Sequence, residues 1–262
     1  MKRILFLLVL VVPVFGQEPS VDDIVNTYFE NTGGVAAWSK LNGIKMTGEF
    51  NQGGMKLPFE VVQMKDGKTY TKLSAQGKEL RQNVFDGETM WSTNFMTMKP
   101  EKADAEATAN QKLDSNDFPE ALFDYKKKKY TAELLGKEDF EGTQCYKVKL
   151  VQEPITVDGA QVENISISYF DVETGVRLAQ ESEVHQGPAK GQTQQVKFSD
   201  FQEVDGLYFP FSLTQGLKGG PSGTITITKI ELNPDVTSAD FAMPAVEPEP
   251  APAAQESQQG GN

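Results

Sequence analysis

From Gly43 to Leu232 the chain repeatedly alternates apolar and polar residues with a period of two, and glycine-bearing turns separate the runs. Alternation of that kind puts every second side chain on one dry face, so it prescribes antiparallel strands and excludes a helical bundle. Ile44, Met46 and Phe50 alternate with Lys45, Thr47 and Glu49; Gln52-Gly53-Gly54 turns the chain; Met55, Leu57, Phe59 and Val61 run back. Asp66-Gly67, Gln76-Gly77 and Asp86-Gly87 mark further turns about ten residues apart, the spacing of a meander. The pattern resumes with Tyr146, Val148 and Leu150, then Ile165, Ile167 and Tyr169. It turns at Asp171 to Gly175 and continues through Leu178, through Leu207, Phe209, Phe211 and Leu213, and through Ile225 and Ile227. The runs amount to about ten or eleven strands, and a sheet of that size curls.

Two segments break the period. Ser20 with Asp23 three residues on is a helix start, and Val21, Ile24, Val25, Tyr28 and Phe29 recur at helical spacing until Gly33-Gly34. A helical turn carrying Trp38 follows, closed by Asn42-Gly43. Residues 101–113, rich in Ala, Glu and Lys after Pro100, predict a second helix, and a short third piece is expected to hold Phe118, Leu122 and Phe123. Each strand has one apolar face, so a curled sheet needs a cover for its inner side, and these helices are the candidates. The expected fold is an incomplete, strongly curved antiparallel β-barrel with a helical lid around an apolar cavity. Met46, Phe50, Leu57, Phe59, Trp91 and Phe95 are expected to line that cavity, with Phe118 and Leu122 closing over it. Crowding of Met46, Met55, Met64, Met90, Met96 and Met98 in the first strands supports the same wall, because methionine adapts to variable ligands.

The ends read differently. Lys2 and Arg3, an apolar run from Ile4 to Val12 and the small Gly16 form a cleavable signal peptide over residues 1–16, and the run falls short of the roughly 20 residues that span a bilayer. No cysteine stands among residues 14–20, just after the signal, so no lipid anchor is expected. From Ala245 to Asn262 proline alternates with acid, leaving too little apolar bulk to order the tail. Residues 17–244 are expected to be one domain, exported to the periplasm as a soluble monomer. The formal net charge is −12, and loss of Lys2 and Arg3 with the signal makes it −14, which disfavours nucleic acid. Lys126 to Lys129 read as a solvated edge.

Catalytic chemistry is sparse. The one histidine, His185, follows Glu183 and Glu181 at strand spacing, an arrangement more often a solvated strand face than a metal site. The one cysteine, Cys145, sits between Gln144 and Tyr146 and reads as a small core residue with no disulfide partner. No nucleophile elbow, zinc-protease helix or phosphate loop is present, no carboxylate pair is singled out by spacing, and no cofactor is expected.

A set of short stretches, taken in order, resembles the LolA-like periplasmic lipoprotein carriers of the outer-membrane lipoprotein-sorting family, of the type found in Bacteroidetes. They are Val21 to Gly34 with Trp38, Leu41 and Ile44-Lys-Met46; Phe85-Asp-Gly-Glu-Thr-Met-Trp91; Asp124-Tyr125 leading to Leu134-Leu-Gly-Lys-Glu-Asp139; Gly142 with Tyr146-Lys-Val-Lys149; Tyr169-Phe-Asp-Val-Glu-Thr-Gly175; and Phe198-Ser-Asp200 with Glu203-Val-Asp-Gly206 and Phe209-Pro210. The resemblance implies a bent barrel whose cavity takes the acyl chains of lipoproteins, with a transport partner at the inner or outer membrane. The family's characterised carrier relies on an arginine in its early strands, whereas residues 43–64 contain none. The expectation is a non-enzymatic carrier of lipoprotein acyl chains or other lipids. The alternative is a lipid- or lipoprotein-sensing interaction module on the same half-barrel.

Overall fold

The computed structural model describes residues 18–75 and 77–245; the expected signal peptide, Gln76 of the third turn and the tail beyond Ala245 lie outside the described residues. The chain begins with helices α1 (Val21–Asn31) and α2 (Val35–Trp38). A first meander follows, made of β1 (Gly43–Gln52), β2 (Met55–Met64), β3 (Thr69–Ala75), β4 (Lys78–Phe85), β5 (Met90–Thr93) and β6 (Pro100–Lys102). A crossover bearing α3 (Ala105–Asp114) leads to β7 (Thr131–Phe140) and β8 (Thr143–Val151). The short hairpin β9 (Ile155–Val157) and β10 (Ala160–Val162) precedes β11 (Ile165–Asp171), β12 (Arg177–Glu183), β13 (Thr193–Val204), β14 (Leu207–Leu217) and β15 (Ser222–Leu232).

Thirteen of these strands form one sheet in the order β6-β5-β4-β3-β2-β1-β15-β14-β13-β12-β11-β8-β7, and every neighbouring pair is antiparallel. The first strand pairs with the last, so each meander runs outward from that seam and the sheet ends at β6 and β7 without closing. The segment 103–130 links the two free edges, which obliges it to cross the open side. The strand number exceeds the ten or eleven expected because β5, β6, β9 and β10 are only three or four residues long, too short to display an alternation.

Packing on the inner face is led by α1. Ser20 caps it, its hydroxyl accepting from the Asp23 N–H while the Asp23 carboxylate accepts from the Ser20 N–H. Ile24, Val25, Tyr28 and Phe29 are buried against Trp38, Phe123, Phe170 and Phe209, with Phe29 edge-on to Phe123 and Trp38 edge-on to Phe209. Leu122, Tyr125 and Tyr130 of the crossover join the same core. No helix forms around Phe118 to Phe123: Pro119 interrupts it, and turns carry the chain to Lys129. The helix expected at 101–113 is shorter at its start, because residues 100–102 pair with β5 and Asp104 supplies the cap, accepting from the Ala107 N–H.

Two smaller clusters lie on the outer face. Val62, Tyr70, Val84 and Trp91 pack under Phe241 from the chain's last described segment, and Cys145, Tyr169 and Ala179 pack with Phe140 across β8, β11 and β12.

Candidate functional site

The helices fill the inner face only toward the starts of β1 and β14. Toward the β1–β2 and β14–β15 turns that face stays open, leaving a cavity of about 790 Å³, within the range of small-molecule sites. Met46 and Phe50 from β1, Leu57, Phe59 and Val61 from β2, Leu73 from β3, Leu213 and Leu217 from β14, and Ile225 and Ile227 from β15 form its walls. The registers explain the convergence: Met46 faces Val61, Phe50 faces Leu57 and Leu213 faces Ile225 across their ladders. The polar lining is Gln52, Thr71, Gln194 and Gln215, all uncharged, so among the described residues no charged side chain lines this cavity, in a chain with 25 basic and 37 acidic residues.

Two glycines let the phenylalanines lie flat on the sheet. A Cβ on Gly223 would stand 2.7 Å from the Phe50 ring, and one on Gly48 would stand 2.9 Å from the Phe59 ring and 2.2 Å from the Thr226 carbonyl oxygen. Each ring therefore occupies the space of a missing side chain on the neighbouring strand, which keeps the cavity wide.

Of the eight residues expected at this site, Met46, Phe50, Leu57 and Phe59 line the cavity. Trp91 does not. It faces Val84 on the outer side, 1% exposed, and its indole N–H donates to the Phe241 carbonyl oxygen at 3.0 Å. Phe95 is 63% exposed in the β5–β6 turn, beyond the end of the strand that would have aimed it inward. Phe118 and Leu122 pack into the helical core and do not roof the cavity, because α1 draws the crossover to itself. Methionine crowding does not mark the wall either: Met46 lines it, Met64 packs on the outer face, and Met55 and Met96 are 64% and 92% exposed.

The set Glu181, Glu183 and His185 does not converge. Glu181 is buried and held by Lys218 at 2.8 Å and by the Gln195 amide at 2.7 Å, not solvated, while His185 Nδ1 stands 4.0 Å from Glu183. Among the described residues no three acidic, histidine or cysteine side chains cluster as metal ligands. Cys145 is fully buried, and burial pushes its thiol up to about 11. Within the lysine run, Lys128 departs from a solvated edge: it is half-buried on Asp117 at 2.9 Å and lies over the Tyr130 ring.

A group that the sequence does not flag lies deeper. Arg177 Nη2 donates to Glu120 Oε2 at 2.7 Å, and the Tyr28 hydroxyl donates to the same oxygen at 3.4 Å. Burial and the Glu120 carboxylate push the Tyr28 phenol upward.

Three solved structures superpose on this arrangement along most of its length. A domain described as an outer membrane lipoprotein-sorting protein from Vibrio parahaemolyticus matches at a TM-score of 0.53 and 12% identity, over 84% of this chain and 94% of its own. A DUF1329 family protein from Desulfovibrio piger matches at 0.52 and 14%, over 85% and 97%. A LolA superfamily protein from Nitrosomonas europaea matches at 0.51 and 10%, over 86% and 98%. The fold is LolA-like. Neither a family model nor a curated protein matches the sequence, so the likeness resides in the LolA-like architecture: an unclosed sheet with helices on its inner face. No described helix is long and apolar enough to cross a membrane.

Proposed function

We propose that this chain is a periplasmic carrier or binding protein for lipoprotein acyl chains or other lipids moving toward the outer membrane. The observation that carries the reading is the uncharged, apolar cavity of about 790 Å³ on the inner face of the LolA-like sheet. Each methylene moved from water into such a lining gains about 0.8 kcal/mol, so a long chain binds without any ionic contact. The cavity's lining of apolar side chains, glutamine amides and one threonine hydroxyl holds, among the described residues, no histidine, carboxylate or thiol, which favours binding over catalysis. The antiparallel registers put the β1–β2, β5–β6 and β14–β15 turns at one end of the sheet, where the cavity opens, and Met55, Phe95 and Met96 project from two of those turns. An apolar rim beside an apolar mouth suits the passage of cargo that water rejects.

Mass spectrometry of an organic extract of the purified protein tests the reading. Fatty acids, phospholipids or acylated peptides at near-stoichiometric amounts are expected. An extract with no lipid, together with no uptake of lipid from vesicles, would remove the proposal's basis.

A further inference from the structure

The two ends of the sheet differ in charge. Gln52, Val184, Leu217 and Pro221 flank the β1–β2, β12–β13 and β14–β15 turns and also line the large cavity, so it opens between those turns. None of the three carries an acid, and neither does the β3–β4 or the β5–β6 turn at the same end, in a chain with 37 acidic residues. Inside these turns stand Lys99, Lys190 and Lys218, while the flanking strand ends set Lys56 and Lys78 against Glu79, Glu101 and Glu183. At the opposite end every turn holds an acid: Asp66, Asp86 with Glu88, Glu141, Glu173 and Asp205, against Lys65 and Lys68. The β9–β10 arm is the exception at the mouth end, and its Asp158 pairs with Lys190 at 2.7 Å.

Apolar exposure follows the same polarity. Of the five large apolar side chains that are exposed among the described residues, Met55, Phe95 and Met96 stand at the mouth end, in or beside acid-free turns. Side chains of this kind at loop tips favour the headgroup layer of a membrane over water. The formal charge of −12 would repel an anionic surface as a whole, but screening decides which charges are felt. The ten residues of β1 extend about 33 Å at roughly 3.3 Å each, several times the screening length of about 8 Å at physiological salt. A surface met by the mouth therefore feels the lysines of the turns and not the acids of the far end. The pairing of Lys190 with Asp158 and of Lys218 with Glu181 does not withhold them, since both lysines are at least half exposed and exposed pairs are weak.

We propose that the mouth end docks on an anionic phospholipid bilayer, with Met55, Phe95 and Met96 entering the headgroup layer and the acidic turns held away from it. The proposal rests on the carrier reading and adds to it the surface at which cargo enters or leaves.

The test floats the delipidated exported protein with vesicles of phosphatidylcholine alone or with about 30% phosphatidylglycerol. Association with the anionic vesicles is expected to be about fivefold stronger, the effect of one lysine near such a surface. The triple variant Met55→Ser, Phe95→Ser, Met96→Ser is expected to lose at least tenfold. An environment-sensitive dye reports the orientation, attached at Met55→Cys or at Glu173→Cys; Cys145 is buried, so the folded protein takes the label at the new cysteine. A blue shift with vesicles is expected at position 55 and none at 173. Equal or weaker association with the anionic vesicles overturns the proposal, as do equal shifts at the two positions or a folded triple variant that floats like the parent. A parent dimer that the triple variant breaks, with no flotation, makes a second copy the occupant and overturns it too. No flotation by a parent that binds fatty acid in solution overturns the docking and leaves the carrier reading standing, whereas flotation without fatty acid binding defeats the carrier reading alone.

Discussion

Single side chains matter here through the face they occupy. Parity along a strand identifies that face while the ladder is regular, and Met46, Phe50, Leu57 and Phe59 were legible for that reason. It fails past an irregularity: the β3–β4 register shifts between Thr69 and Thr71, and Asn83 takes a φ of +50°, so Val84 and its partner Trp91 fall on the outer side rather than the expected inner one. Composition is weaker still, since a methionine fits a wall, an outer cluster or a turn equally well. The Glu120–Arg177 pair left no local signal because its partners are 57 residues apart. Two residue-scale outcomes follow. Gly223→Ala pushes the Phe50 ring into the cavity, so competition assays should show weaker binding of long acyl chains, and denaturation a loss of about 1 kcal/mol. The Cys145 thiol, buried and pushed up to about 11, should resist a thiol reagent at pH 8 in the folded protein and react fully once guanidinium unfolds it.

At the scale of elements, helix α1 was readable from its cap and its apolar stripe, whereas the crossover was not, because its course is fixed by what it meets across the open side of the sheet. Asp22 of α1 pairs with Lys126 and accepts from the Tyr125 hydroxyl at 2.5 Å, and these contacts, the lysine first, hold its carboxyl below the usual value of 3.8. A carboxyl lowered on folding stabilises the fold above its ordinary range, and that contribution is lost as pH falls below about 4 through the lowered value. Asp22→Asn should therefore lower Tm at pH 7 by at most about 4 °C, in line with the roughly 0.2–1 kcal/mol of an exposed pair, and the thermal melts of parent and variant should draw together as pH falls below about 4. On the outer face, Phe241 is clamped by Tyr70 and by the Trp91 indole. Trp91→Phe should cost about 1–3 kcal/mol of stability by chemical denaturation while leaving lipid binding unchanged, the reverse of what a cavity-wall residue would do.

For the whole molecule, an unclosed thirteen-stranded sheet joins its first strand to its last, and helices fill half of its inner face. That architecture was largely visible in the alternation, since one dry face per strand and too few helices to cover them all leave apolar surface over. Which half stays open was not visible, because it depends on where α1 and the crossover settle against β8, β11 and β14. The central claim is that the open half binds acyl chains, and Phe59 stands in its wall, packed over Gly48. The most direct measurement is the affinity of a fluorescent fatty acid for the parent and for Phe59→Asp, with circular dichroism showing that the variant keeps its strands. The account predicts binding by the parent and at least a tenfold loss in the folded variant, because a carboxylate in an apolar wall must be desolvated with no partner. A folded variant that binds as tightly as the parent, or a parent that binds no fatty acid, would contradict it.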